Sequence, residues 1–168
     1  MITHSACRLE CLPAYAIPRE DASLRAFLDG TARPERSVRT SPWLRRLAVT
    51  TAAGKVWTRT RVYDIPLTEY QRFEIPAYVE SLAAGDRTSL VDRIQADYDG
   101  PDFWLFDHDT DHAQVAVMQY GATGEFEGFE LVTDPSRVGW FAEQRRAVGS
   151  RAVPLAHFLA ARGAVAYG

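Results

Sequence analysis

Lysine is almost missing from this chain: Lys55 is the only one among 19 basic residues, and the rest are arginine. A Schiff-base or serine–lysine mechanism would have to rest on that single side chain. Cysteine is scarce as well. Cys7 and Cys11 read as two ordinary thiols near a mobile N-terminus, without a disulfide framework or metal-ligand spacing behind them. No apolar run approaches the roughly 20 residues that span a bilayer, and residues 1–10 lack the basic start and apolar stretch of a signal peptide. The expectation is a cytoplasmic chain with no membrane partner. Gly121-Ala122-Thr123-Gly124 lacks the Gly-Lys-Ser or Gly-Lys-Thr ending of a phosphate loop, and no Gly-x-Ser-x-Gly elbow occurs. Nothing in the sequence calls for a cofactor.

What is present suits one domain over residues 1–168, since 46% of the residues are hydrophobic, enough for a core of that size. The net charge of −3 is unevenly spread: residues 1–72 hold 12 Lys or Arg against 7 Asp or Glu, and residues 73–168 hold 7 against 15. Such asymmetry arises when two halves fold together and pair their charges, or when one half offers a charged binding face.

The run Phe103-Trp104-Leu105-Phe106-Asp107 has four large apolar side chains in succession, the pattern of a strand covered on both faces in the middle of a sheet. Residues 113–120 and 126–132 continue it as an antiparallel meander, turning at 107–112 and at the glycines of 121–125. Residues 55–63 form another strand, with Trp57, Arg59, Arg61 and Tyr63 on one face. Helices are predicted at 22–28 and at 43–53, the second capped by Ser41-Pro42, and the solvated loop of 31–40 between them carries Arg33, Arg36 and Arg39. After Pro66, Leu67, Tyr70, Phe73 and Glu74 recur at helical spacing, which sets Glu74 beside an apolar stripe, and Pro76 should end or kink that helix. Residues 88–94 fit a short strand or a helix equally. Asp134-Pro135 opens a helix reaching Val148, and 153–161 forms a C-terminal helix or tail. Strands grouped together with helices at both ends of the chain define an α+β fold with a mainly antiparallel sheet and the strand 103–107 at its centre.

Six motifs keep a recognisable order: Leu12-Pro13-x-Tyr15, Arg59-x-Arg61-Val62, Pro66 through Glu74, Ala84-Gly85-Asp86, the Asp102 to Asp107 block, and a strand, glycine turn and Glu-Leu strand ending near Asp134. Over nearly the whole chain they resemble an uncharacterised actinobacterial family, a domain of unknown function found alone or fused behind a helix-turn-helix segment. The resemblance implies association with helix-turn-helix regulators, although this chain shows no such segment. A more distant likeness, in the order of helix, strand and hairpin, is to degenerate phospholipase-D-like sensor domains. Catalysis of that type needs His-x-Lys, and the position two before Lys55 is Ala53.

The best local constellation is Arg59, Arg61, Tyr70, Glu74 and Asp107. They could form an anion pocket in which the arginines grip a phosphate or carboxylate, or a partly buried ion-pair network joining helix to sheet. Asp107-His108-Asp109-Thr110-Asp111-His112 invites a metal reading. A calcium loop, however, needs glycine at its sixth place and a carboxylate at its twelfth, which here are His112 and Met118, so a polar turn is expected and no metal site. The functional expectation is a non-enzymatic regulatory or partner-binding module working with a helix-turn-helix regulator. The competing class is an enzyme or binder of an anionic small molecule at Arg59, Arg61 and Glu74. A homodimer is compatible with the sequence, and direct nucleic-acid binding, supported only by the arginines of 33–46, ranks third.

Overall fold

The β-branched and aromatic stretch expected as a strand is β2, Val56–Tyr63. The computed structural model describes residues 3–32 and 34–162, and Arg33 lies outside the described residues. Two strands run parallel to β2: β1, Ser5–Glu10, and β3, Asp86–Asp92. β1 pairs antiparallel on its other side with β4, Phe103–Phe106, which continues into the meander of β5, Gln114–Tyr120, and β6, Phe126–Val132. The short β7, Val153–Pro154, closes the far edge, giving the order β6-β5-β4-β1-β2-β3-β7. The α+β class stands, with antiparallel pairings the more numerous. The 103–106 strand is interior, and β1 holds the fourth place of the seven.

Six helices flank this sheet among the described residues: α1, Asp21–Leu28; α2, Pro42–Ala52; α3, Glu69–Ala83; α4, Arg93–Ala96; α5, Pro135–Gly149; and α6, Leu155–Ala161. Their starts follow capping chemistry. Ser41 accepts the N–H of Leu44, Asp134 accepts that of Arg137, and Thr68 forms a reciprocal capping box with Gln71. Pro76 does not end α3, which runs through it to Ala83. A mid-helix proline costs about 3 kcal/mol. Phe73, Ile75 and Tyr78 on either side are nearly fully buried, each worth roughly 1.5–3 kcal/mol, and together they outweigh that cost. Residues 86–92 resolve as strand, with Asp92 capping α4 through the N–H of Gln95.

The two faces of the sheet differ. On one, Cys7, Leu9, Val62, Val91, Phe103, Leu105, Val115 and Val132 meet Val138, Phe141 and Val148 of α5 in a purely apolar core. On the other, α2, α3 and α6 cover β2 and β3. Trp43, Trp57 and Trp104 pack edge-to-face there, with ring centroids 5.3–6.0 Å apart. Cys7 and Cys11 are free and buried, and both belong to the structured segment at the heart of the sheet rather than to a loose terminus.

Candidate functional site

Strand alternation sends Arg8 and Glu10 of β1 to the helix-covered face, and register sets Arg8 beside Arg59 and Glu10 beside Arg61. Around them lies a buried network of three guanidinium groups and four carboxylates. Arg61, 1% exposed, donates from Nε and Nη2 to Oε2 of Glu74 at 3.0 and 2.8 Å, and from Nη1 to the Leu12 and Val62 carbonyls at 2.7 and 3.2 Å. Arg59 bonds Oε1 of Glu10 and, at 3.3 Å, Asp86. Arg8 donates from Nε to Glu10 at 3.3 Å and from Nη2 to Asp102 and the Tyr120 hydroxyl, both at 2.9 Å. Tyr15 donates to Asp102 at 2.5 Å, and the N–H of Cys11 does so at 2.7 Å. Aromatic rings face the cations: Trp104 lies under Arg8 and Arg59, and Tyr15 under Arg61.

Tyr78 of α3 joins the two central carboxylates. Its hydroxyl lies 2.8 Å from Oε1 of Glu74 and 3.0 Å from Oε2 of Glu10. A phenol carries one hydrogen, so both contacts are hydrogen bonds only when one carboxyl group is itself protonated. Glu74 is that group. Burial pushes its pKa up to about 7 against the pull of Arg61, and the charge of Glu10 adds to the rise. For Glu10, burial also acts upward, but Arg59, Arg8 and Arg61 outweigh it and hold the group at about 2. Four carboxylates facing three guanidiniums thus balance when Glu74 holds a proton.

Of the residues singled out from sequence, Arg59, Arg61 and Glu74 fall in this network, although Arg59 pairs with Glu10 and Asp86 rather than with Glu74. Tyr70 does not join it by hydrogen bond. Its hydroxyl donates to Glu20 at 2.9 Å within an aromatic cluster with Tyr15 and Phe73. Asp107 lies at the opposite end of β1, where its carboxylate accepts the N–H groups of Thr3, His4 and Ser5 at 2.6–3.1 Å. Burial acts against its ionisation, but those N–H groups prevail and hold its pKa well below the usual carboxylate range. The acidic turn is therefore used as a backbone anchor, and among the described residues no cluster of His, Cys, Asp or Glu suits a metal ion. Arg8, Glu10, Tyr78, Asp86 and Asp102 were not singled out from sequence. The alternation of Arg8 and Glu10 with Cys7, Leu9 and Cys11 is the signal that exposes the first two.

Beyond the helix-covered part, the same face of the sheet opens outward. Leu131 lies in register with Ala116, Trp104 and Arg8, and Phe129 lies opposite Met118. A register shift at Gln119 and Tyr120 brings Phe126 opposite Tyr120, their rings 6.0 Å apart. Phe126, Phe129 and Leu131 are 53%, 56% and 54% exposed. Among the described residues β6 pairs with β5 alone, which leaves its outer edge open from Phe126 onward, past the bridge between Ala16 and Glu125.

No helix of the described residues is long and apolar enough to cross a membrane. A family model described as Domain of unknown function (DUF6879) matches residues 1–160. Neither the curated proteins nor the solved structures contain a match to the chain.

Proposed function

The chain belongs to the DUF6879 family, and we propose that it acts as a non-enzymatic regulatory module that binds a partner protein, a helix-turn-helix transcriptional regulator. The regulator, and with it an actinobacterial setting, comes from the resemblance of the six ordered motifs, and a cytoplasmic setting is proposed from the sequence pattern of residues 1–10 and the lack of a long apolar run. The binding role is carried by one observation: three large apolar side chains of one strand, Phe126, Phe129 and Leu131, each stay more than half exposed beside a sheet edge that no described residue pairs. Scattered surface apolar residues are ordinary, but a contiguous row at a sheet edge suits a covered interface. Co-expression with a helix-turn-helix regulator from the same genome should give one co-eluting complex. Phe129→Ser with Leu131→Ser should abolish it while the unfolding midpoint holds. A complex that survives the double substitution, or no complex at all, overturns the reading.

A second reading, an enzyme or binder of an anionic small molecule at Arg59, Arg61 and Glu74, is favoured by one detail. Arg8 Nη1 and the Thr88 hydroxyl are buried without a hydrogen-bond partner among the described residues, and both residues are in register with Arg59. A saturable rise in melting temperature with inorganic phosphate, lost in Arg8→Met, supports this reading, and no saturable rise ends it.

A further inference from the structure

The charged residues of β6 itself are both acidic. Glu127 and Glu130 are exposed along its open edge. Arg137 of α5 answers Glu130 at 2.6 Å, and both side chains remain about half exposed. Phe126–Val132 contains no proline or lysine, and its two glutamates and the register shift opposite Gln119 and Tyr120 are the features that limit which strand can add to this edge. The isolated bridge between Ala16 and Glu125 ties the loop after β1 to the start of the strand, so the open stretch begins at Phe126.

We propose that this edge receives an extended segment of the partner protein as an eighth strand, a segment in which Lys or Arg faces Glu127 and Glu130 and apolar residues cover Phe129 and Leu131. The inference rests on the partner-binding reading and specifies the partner's chemistry. Main-chain hydrogen bonds along the edge supply affinity, and alternate side chains supply selectivity. A second copy fits less well. The antiparallel register that stacks Phe129 on Leu131 of the copy sets Glu130 against its own equivalent, and the register that stacks Phe129 on Phe129 sets Glu127 against Leu131. Like charges directly opposite each other destabilise a strand pair, as does an unpaired charge on an apolar side chain. A strand that sets Val, Lys and Val against Leu131, Glu130 and Phe129, and a second Lys against Glu127, meets neither penalty.

The test uses the full chain and three fluorescein-labelled peptides: a Lys-Val peptide built on Val-Lys-Val-Thr-Lys, its counterpart with Glu for every Lys, and the Lys-Val peptide interrupted by prolines. Fluorescence anisotropy should give saturable binding of the first, weaker by at least about tenfold for the other two. Substituting Glu127→Lys and Glu130→Lys together should reduce Lys-Val binding by a similar factor with no change in unfolding midpoint. Equal binding of the proline-interrupted peptide reduces the effect to charge attraction and overturns strand addition. Light scattering that shows a dimer, dissociated by Leu131→Ser, overturns it in favour of a second copy. If the Lys-Val peptide fails to bind while the regulator still co-elutes through Phe129 and Leu131, this inference falls and the partner-binding role stands.

Discussion

Replacing Glu74 with Gln separates a buried proton from a buried charge. The folded-state pKa of Glu74 is raised from 4.5 to about 7. Its contribution to stability is therefore fully present below pH 4.5 and is lost as pH rises through about 7. Glu10 is shifted the other way, to about 2, so its contribution is present above 4.5 and is lost only as pH falls toward 2. Between pH 5 and 8 the Glu10 contribution is constant and that of Glu74 changes. The gap between 4.5 and about 7 corresponds to a loss on the order of 3 kcal/mol. Gln has the shape of the protonated acid, keeps an oxygen for Arg61 and offers an N–H to Tyr78, so at pH 5 the variant should lie within about 1 kcal/mol of the parent. At pH 8 the variant should have gained on the parent by an amount approaching the full difference. Urea unfolding followed by tryptophan fluorescence measures this directly, since Trp57 is 4% exposed and reports on the same face of the sheet. Parallel stability curves for parent and variant from pH 5 to 8, within about 0.5 kcal/mol, would show that Glu74 carries no proton and would refute the reasoning.

Three further outcomes follow from the geometry. Arg61→Met removes every partner of Glu74 except Tyr78 and should cost roughly 3–5 kcal/mol at pH 8 but less at pH 5, where Glu74 takes up a proton; equal losses at both pH values, measured by urea titration, would contradict this. Asp107→Asn should cost roughly 1–3 kcal/mol at pH 7 by weakening the anchor of Thr3, His4 and Ser5. Because the Asp107 pKa is depressed below 3.8, its contribution is present above that value and lost in acid, so the gap between parent and variant should close as pH falls in an acid titration. Gly124→Ala places a methyl group 2.7 Å from the Ala14 carbonyl oxygen at φ +86°, and calorimetry should show a lowered melting temperature corresponding to at least about 1 kcal/mol.

Local chemistry was legible in the sequence where it acts over a few residues. Ser41-Pro42 and Asp134-Pro135 predict the starts of α2 and α5, the glycines of 121–125 predict the β5–β6 turn, and alternation in β2 predicts that Arg59 and Arg61 share a face. The helical spacing that set Glu74 beside an apolar stripe also led to its contact with Arg61. No strand was expected over β1, because a short stretch holding Arg8 and Glu10 gives no local sign of burial, and only partners from β2 and the 102–106 region make that burial tolerable. The parallel pairings escaped for a related reason: they form through long connections with no turn signature of their own. Asp107 was expected among the arginines by its chemistry, yet its place after β4 sets it at the other end of β1, where unpaired backbone N–H groups claim it.

The fourth-place position of β1 bears on the order of assembly. The strand synthesised first acquires its parallel neighbour only once residue 63 exists, and its antiparallel neighbour only once residue 106 exists. Until then Arg8 has no Asp102 to meet, and a nascent chain halted before that carboxylate holds a cation with nowhere dry to go. Translation must therefore run past residue 106 before the interior of the sheet can close. Chains truncated near residue 100 should be captured by chaperones or degraded, whereas those truncated after α6 should not.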